Sequence, residues 1–238
     1  MKHIKHLYIL SFLLLLFSCQ KDEVTEPIDY GYDYIVDDIG HYIIYQVDST
    51  IYNDFDNTVR DTSLQFKEII VEVFEDVLGR EAHRVERYER KDSDSQWVLT
   101  RTYYFVKGRR SLEKIEENLR FVSFVFPPNS NLSWDGNRYI EAVDNVKYLS
   151  NWEYKYISVD APSTILGKDY SQTAEVLLVD KENAIEKTYA KEIYAREIGM
   201  VYKEWWHLET QKIVEDPWLE KAEKGYILKM QIIDYGQE

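Results

Sequence analysis

Apolar and polar side chains alternate with a period of two along most of the chain after residue 40. Ile43, Tyr45, Val47 and Ile51 share one parity, and polar side chains occupy most of the positions between them. This alternation predicts a β-strand with one buried face. The same pattern returns, separated by polar turns, in the segments 64–76, 82–90, 97–106, 121–126, 152–156, 173–180, 200–208 and 226–233. The pattern therefore predicts an all-β fold, or a β-rich α+β fold, with antiparallel strands.

Three segments depart from simple alternation. In the strand 64–76 the apolar parity slips between Phe66 and Ile69, which predicts a β-bulge. The segment 111–120 has apolar residues at helical spacing but runs directly into a strand. The segment 181–197 fits either a helix or a strand, because its apolar residues repeat every four positions.

In the predicted strand 200–208, we expect alternate side chains to point to opposite faces of the sheet. Met200, Tyr202, Trp206 and Leu208 share one parity. Adjacent residues of a strand point to opposite faces, so Trp205 and Trp206 cannot both fill the core.

The first eighteen residues have the features of a secretory signal. Lys2 and Lys5 precede an apolar run over 7–17 that is broken only by Ser11. A run of this length matches the h-region of a signal peptide. It is shorter than the roughly 20 residues that a membrane-spanning helix needs. We expect residues 1–18 to be removed.

Leu16-Phe17-Ser18-Cys19, which contains the only cysteine of the chain, resembles the lipobox of bacterial lipoproteins. The resemblance implies that the Cys19 thiol takes up a diacylglyceryl group and that its new amine receives a fatty acid such as palmitate. Two or three acyl chains anchor a protein stably, whereas one is marginal. Gln20-Lys21-Asp22-Glu23 resembles the signal that sends some Bacteroidetes-type lipoproteins to the cell surface. We expect residues 19–38 to form a lipidated tether.

Charge and cysteine content exclude several classes of protein. The 238 residues include 29 Lys+Arg and 43 Asp+Glu, a net charge of −14. Nucleic-acid binding depends on clustered cations, so we expect no nucleic-acid partner. A single cysteine excludes an internal disulfide framework. The expected partner is the membrane, reached through the lipid anchor because an acidic body is not attracted to anionic lipid.

Three segments of the body resemble those of uncharacterised Bacteroidetes-type exported lipoproteins with a half-barrel, lipoprotein-carrier-like outline. They are the strand 40–49, Phe126-Pro127 together with Trp134-Asp135-Gly136-Asn137, and the hairpin 194–201. The resemblance implies one β-rich domain over 39–238, with an antiparallel sheet curled into an open or closed barrel. It also favours a strand over 181–194. It implies a fold and a place in the cell envelope, and it carries no activity.

Motifs for catalysis or metal binding are not apparent. His41, His83 and His207 are far apart in sequence and lack the spacing of metal ligands. Ser111-Leu112-Glu113-Lys114 matches a Ser-x-x-Lys motif, but the partner motifs of that enzyme class are missing. The sequence therefore predicts no catalytic residue, no metal site and no cofactor, and we expect a protein that is not an enzyme.

Aromatic residues, 15% of the chain, are the remaining candidates for ligand contact. We interpret most of them as core residues and select Tyr45, Trp97, Trp152 and Trp206 as candidate ligand-binding residues. The leading hypothesis is a non-enzymatic lipoprotein of the outer membrane, on its periplasmic or cell-surface side. It would bind a hydrophobic or amphipathic ligand or act as an accessory subunit. The alternatives are a surface lipoprotein that binds or cleaves glycans and one that is structural or binds a protein partner.

Overall fold

The computed structural model describes residues 28–141 and 146–238, and these form one twelve-stranded antiparallel sheet. The strands are β1 (His41–Asn53), β2 (Thr58–Glu75), β3 (Glu81–Arg90), β4 (Val98–Lys107), β5 (Ser111–Glu116), β6 (Leu119–Val125), β7 (Ser133–Asp135), β8 (Glu153–Ile165), β9 (Lys168–Glu182), β10 (Glu186–Ala195), β11 (Gly199–Glu209) and β12 (Lys224–Gln237). Short 3-10 turns occupy Tyr32–Tyr34 and Lys147–Leu149, and one short helix, α1, spans Trp218–Lys221. Cys19 and the rest of the predicted signal and lipobox lie outside the described residues.

The sheet curls into a nearly closed barrel. Strands that follow each other in sequence pair with each other, except β6 and β7, and β1 also pairs with β12. β6 and β7 are therefore the two edges of the sheet. The strands are β-branched and aromatic, as half-buried strands favour, and their inward faces enclose the core. The predicted all-β fold with one curled antiparallel sheet is confirmed.

Aromatic side chains join the two edge strands where the backbone ladder is incomplete. The Trp134 indole donates a hydrogen bond to the Val122 carbonyl (2.7 Å), and the Val122 amide donates to the Gly136 carbonyl (2.7 Å). The Tyr156 hydroxyl donates to the Val125 carbonyl (2.5 Å). These bonds pair polar groups that an open sheet edge would leave free. We call this contact between β6 and β7–β8 the seam.

The Trp-Asp-Gly-Asn segment contributes to the seam. Trp134 and Asp135 belong to β7, and the turn begins at Gly136. A Cβ on Gly136 would lie 2.4 Å from the Tyr154 ring, so only glycine permits this approach. Asn137 is buried, donates to the Leu149 carbonyl and accepts from the Tyr154 hydroxyl.

The ambiguous segments are all strands. Residues 111–120 form β5 and the start of β6, joined by Glu117 and Asn118, which both have positive φ. Residues 181–197 complete β9 and form β10, so the preference for strand is confirmed. The hairpin to β11 turns at Glu197, whose φ of 62° lies in the left-handed region that favours glycine.

β-bulges shift the side-chain parity at two places that matter for the interior. In β2 the register with β3 slips between Ile70 and Glu72, a few residues beyond the predicted place. In β11 Tyr194 pairs with Met200 while Ile193 pairs with Tyr202, so Val201 is the extra residue. The single face predicted for Met200, Tyr202, Trp206 and Leu208 is therefore wrong, because the bulge turns Met200 inward with Lys203 and Trp205.

Residues 28–40 pack across one end of the barrel, which we call the entry end. The turns after β2, β4 and β10 lie at the same end because the strands alternate in direction. Tyr34 and Ile35 are buried there. The Arg196 side chain binds Asp29, Asp33 and Asp160 at 2.6–2.8 Å, which clamps the segment to the β10–β11 turn.

The opposite end, which we call the far end, carries the turns after β1, β3, β5 and β9. The loop between β11 and β12 covers part of the outer sheet face there. Trp218 of α1 packs with Tyr52, Leu208 and Ala222 in a separate outer cluster. The far end therefore has its own apolar support outside the barrel.

Candidate ligand cavity

The barrel interior contains two adjoining hollows. The entry-end lobe has a volume of about 120 Å³ and the far-end lobe a volume of about 250 Å³. Both lobes are lined by Lys114, Ser123, Glu192 and Met200, so they meet at these residues. Each lobe is smaller than the roughly 300–1,000 Å³ typical of small-molecule sites.

The wall of the entry-end lobe is mainly apolar. Its side chains come from alternate positions of the surrounding strands and include Ile43, Ile70, Val85, Phe105 and Leu112. Ile35 and Val36 of the N-terminal segment complete the wall at the entry end. The mainly apolar wall of this lobe is suited to hydrocarbon.

A band of six charged side chains crosses the interior where the lobes meet. The Arg87 guanidinium lies 2.6 Å from Glu68 and 3.3 Å from Glu116. Lys114 lies 2.9 Å from Glu116, and Lys203 lies 2.7 Å from Glu192. We call these six residues, Glu68, Arg87, Lys114, Glu116, Glu192 and Lys203, the charged band. Its three cations balance its three carboxylates, which permits burial of charges that would be costly alone.

The charges of the band keep its carboxylates ionised. Burial favours a raised pKa for Glu68, but the positive charges of Arg87 and Lys114 outweigh burial and hold the pKa below its usual value. The pKa of Glu116 is lowered in the same way, against burial, by Lys114 and Arg87. The pKa of Glu192 is lowered against burial by Lys203. The band is therefore ionic at neutral pH.

Tyrosine hydroxyls fix the positions of the carboxylates. Tyr103 donates to Glu68 (3.0 Å), and Tyr194 donates to Glu192 (2.6 Å). Burial raises the pKa of both tyrosines well above the usual value, and the neighbouring carboxylates act in the same direction. Both hydroxyls therefore remain protonated donors.

One buried side-chain donor lines the far-end lobe. The Trp205 indole nitrogen is shielded from solvent and makes no hydrogen bond within the described part of the chain. Trp205 lines the far-end lobe and packs against Trp152 at a ring distance of 5.1 Å. An unsatisfied buried donor destabilises a fold by about 1–3 kcal/mol. An acceptor atom of a bound ligand would relieve this cost.

The far-end lobe reaches solvent at the far end of the barrel. Arg101 and Glu117 line it there, and 42% and 66% of their side-chain surfaces are exposed. Tyr148 and Tyr226 line the opposite side of this opening. A ligand that enters here would pass the far-end lobe and the charged band before it reached the apolar lobe.

The four predicted ligand-binding residues lie in different parts of the structure. Tyr45 lines the entry-end lobe, and its hydroxyl donates to the Met200 carbonyl (3.0 Å). Trp152 is buried behind Trp205. Trp97 lies in the turn before β4 under the Arg90 guanidinium (4.2 Å), and Trp206 packs on the outer face near Tyr189 (6.2 Å). Only Tyr45 of the four lines a lobe.

Sequence reasoning did not select the charged band, although the chain carries a signal for it. Glu68 has the parity of Phe66 and Ile70, and Arg87 has the parity of Val85. Lys114 and Glu116 follow Leu112 at the same spacing. Charged residues on the apolar face of a strand predict a buried polar network, because an isolated charge there would be too costly.

Across residues 28–141 and 146–238, no cluster of three or more His, Cys, Asp or Glu side chains is arranged to hold a metal ion. Within the same residues, no helix combines the length and the apolar character needed to cross a bilayer.

No protein-family model and no curated protein matches this chain at a significant level. A protein described as exported, with a YmcC-like fold, from Bacteroides fragilis shares 10% identity at a TM-score of 0.34, covering 83% of this chain and 97% of that one. A protein described as a lipoprotein from Parabacteroides distasonis shares 10% identity at a TM-score of 0.37, and the match covers 87% of this chain and 100% of that one. A DUF1329 family protein from Desulfovibrio piger shares 14% identity at a TM-score of 0.20, and the match covers 87% of this chain and 92% of that one. Similarities this low carry no functional argument, so the function is inferred from the chain itself.

Proposed function

We propose that this protein is a non-enzymatic, lipid-anchored protein of the bacterial outer membrane whose barrel binds an amphipathic ligand. The observation that carries the proposal is the order of surfaces along the interior. An opening at the far end leads to a mixed lobe, then to the charged band, and then to a mainly apolar lobe at the entry end. A ligand with a hydrocarbon part and a polar part matches this order.

The shape of the interior favours a slender ligand. Both lobes are small, so an unbranched alkyl chain fits better than a rigid ring system. Met200 lies where the lobes meet, and methionine adapts its shape more readily than branched side chains. Both signs of charge in the band offer partners to the polar groups of such a ligand. The Trp205 donor, which has no partner among the described residues, adds a further site for an acceptor atom.

Filling the junction of the lobes tests ligand binding. Ser123 is buried and lines both lobes, so Ser123→Phe is expected to occupy the space between them. We expect the wild-type protein to enhance the fluorescence of cis-parinaric acid and Ser123→Phe to lose this enhancement. Ser63→Phe is the matched control, because Ser63 is exposed on β2. Unchanged binding by a folded Ser123→Phe variant would exclude the interior as the site.

Native mass spectrometry of protein extracted from its own membrane tests the same proposal without a probe. We expect an additional non-covalent mass that is present in the wild type and absent in Ser123→Phe. An extracted wild-type protein without any such mass, which also fails to bind the fatty acid, would contradict ligand carriage.

The anchor is tested separately. We expect wild-type cells to incorporate labelled palmitate into this protein and cells with Cys19→Ala to lose the label. Labelling that persists in Cys19→Ala, or a mature protein that begins at Met1, would overturn the anchoring. Ligand binding by the interior does not depend on this result.

A further inference from the structure

An open cleft lies outside the barrel at the entry end. Its volume is about 750 Å³, and its walls include Tyr30, Tyr32, Lys107, Arg109, Arg110 and Phe126. None of the residues that line it belongs to either lobe of the interior. We call it the tyrosine–arginine cleft and consider it as a second site.

Two tyrosines form an exposed aromatic platform in this cleft. The rings of Tyr30 and Tyr32 stack at 5.4 Å with an angle of 6° between their planes. Phe126 packs edge-on against Tyr32, with the ring centres 5.0 Å apart and the ring planes at 62°, and supports the platform from one side. The Tyr32 hydroxyl donates to the Arg109 carbonyl (2.9 Å), which ties the platform to the turn between β4 and β5.

The backbone around Gly31 holds the platform in place. Gly31 has a φ of +65°, and a Cβ there would lie 2.8 Å from the Pro128 ring. Its amide donates to the Asp29 carboxylate (2.8 Å), and Asp29 is bound in turn by Arg196 (2.6 Å). A platform that is already ordered loses little conformational entropy when a ligand binds.

Two exposed arginines lie beside the platform. Arg109 and Arg110 are exposed, and neither guanidinium makes an ion pair within residues 28–141 and 146–238. The neighbouring Lys107, by contrast, is bound to Asp37 (3.0 Å). Because neither guanidinium is paired within the described residues, their charge is available to an external anion.

We propose that the tyrosine–arginine cleft binds an acidic sugar, that is, a pyranose ring bearing a carboxylate or a phosphate. The apolar C–H face of a pyranose stacks on an aromatic ring such as Tyr30. A guanidinium pairs with a carboxylate or phosphate through two parallel hydrogen bonds. The open shape of the cleft accommodates an end or a segment of a longer glycan. This site is independent of the ligand proposed for the barrel interior.

Isothermal titration with three sugars tests the assignment. Trigalacturonate supplies carboxylates, glucose 6-phosphate supplies a phosphate, and maltotriose is the neutral comparison. We expect at least one of the two acidic sugars to bind, more weakly as salt rises, and maltotriose not to bind. Binding of one acidic sugar but not the other identifies the anion that the cleft accepts.

Variants separate the platform from the charges. The double variant Arg109→Gln/Arg110→Gln is expected to weaken acidic-sugar binding by about tenfold or more, the loss of one charge-assisted contact. Tyr30→Ala is expected to weaken it through the loss of the stacking ring. Tyr139→Ala and Arg60→Gln are the matched controls. Tyr139 is also exposed and flanked by two arginines, and Arg60 is exposed on β2, outside the cleft. Both controls, and Ser123→Phe, are expected to bind normally.

Four results would overturn the proposal. They are no binding of either acidic sugar, equal binding of maltotriose, full binding by the folded Arg109→Gln/Arg110→Gln variant, and full binding by folded Tyr30→Ala. A membrane role is distinguished with vesicles of phosphatidylglycerol. If the cleft variants reduce vesicle binding while the wild type binds neither acidic sugar, the cleft is a lipid-contact surface and the sugar assignment is wrong.

Discussion

At the residue scale, the main feature is the pairing of charges inside the barrel. Arg87 contacts Glu68 and Glu116, and its guanidinium also lies over the rings of Phe66 (5.2 Å) and Tyr103 (5.6 Å). Each charge is tolerated in the interior because its partners are present. The band therefore makes the fold sensitive to the loss of one member.

We predict that Arg87→Met destabilises the protein by about 3–5 kcal/mol, the range for breaking a buried ion pair by removing one partner. The buried Glu68 carboxylate would lose its nearest cation. The free energy of unfolding from urea titration measures the effect. Arg60→Met is the control, because 66% of the Arg60 side chain is exposed and its pair with Asp56 is expected to contribute less than about 1 kcal/mol. Equal losses in the two variants would contradict the role of the band.

Acid is predicted to destabilise the protein through carboxylates whose pKa is lowered in the fold. Hydrogen bonds from the Arg80 side chain and amide lower the pKa of Asp76 to about 2, and Glu68, Glu116 and Glu192 are lowered as described. The unfolded chain then binds more protons than the folded one, so stability is complete above about pH 5 and falls as the pH drops toward 2. The urea midpoint measured against pH checks this slope.

The control for the acid prediction is Glu68→Gln. We expect a smaller slope between pH 5 and 2 in this variant, even if its stability at pH 7 is lower, because one shifted carboxylate is gone. A slope identical to that of the wild type would show that Glu68 does not take part.

At the element scale, the seam decides whether the sheet is a barrel or an open surface. The edge strands β6 and β7 are short, and side chains supply most of the bonds that join β6 to β7 and β8. Gly136 approaches both β6 and the Tyr154 ring. The seam is therefore held by a few specific residues rather than by a long ladder.

We predict that Trp134→Phe loosens the seam. Phenylalanine keeps the ring but loses the indole donor, so the Val122 carbonyl loses a partner at a cost of about 1 kcal/mol. Hydrogen exchange at the Val122 amide is expected to accelerate relative to amides of β1 and β12. Trp97→Phe, in a turn outside the seam, serves as the control. Uniformly faster exchange in every strand would show a general loss of stability instead.

At the scale of the whole molecule, the N-terminal segment is part of the barrel from about residue 28 onward. Tyr34 and Ile35 are buried, and Arg196 binds carboxylates on both sides of the 3-10 turn. Lys107 donates to the Ile35 carbonyl (2.7 Å) from β4. Ile35 and Val36 also line the entry-end lobe, so the segment that leads into the barrel forms part of the cavity wall.

We predict different effects for two truncations. A chain that begins at residue 28 keeps these contacts and is expected to retain the stability of the mature protein. A chain that begins at residue 37 loses the burial of Tyr34 and Ile35, which amounts to about 3–6 kcal/mol. Thermal unfolding of the two chains measures the difference. Equal unfolding temperatures would show that the segment does not support the barrel.

Local patterns in the sequence determined the strands and the fold class. Alternating parity identifies the first half of β1, where Ile43, Tyr45 and Val47 are buried on one face. The alternative of a helix over 181–197 remained open because short apolar repeats fit both periods. Pairing with β9 and β11 decided it.

Only the tertiary structure decided which side chains meet. Glu68, Lys114 and Glu192 come from β2, β5 and β10, and sequence spacing carries no information about their separation once the sheet has curled. The Val201 bulge reversed the faces of β11, and a bulge that depends on the partner strand leaves no local signature. The interior was therefore fixed by the closure of the sheet, whereas the strands that build it were fixed by the side-chain period.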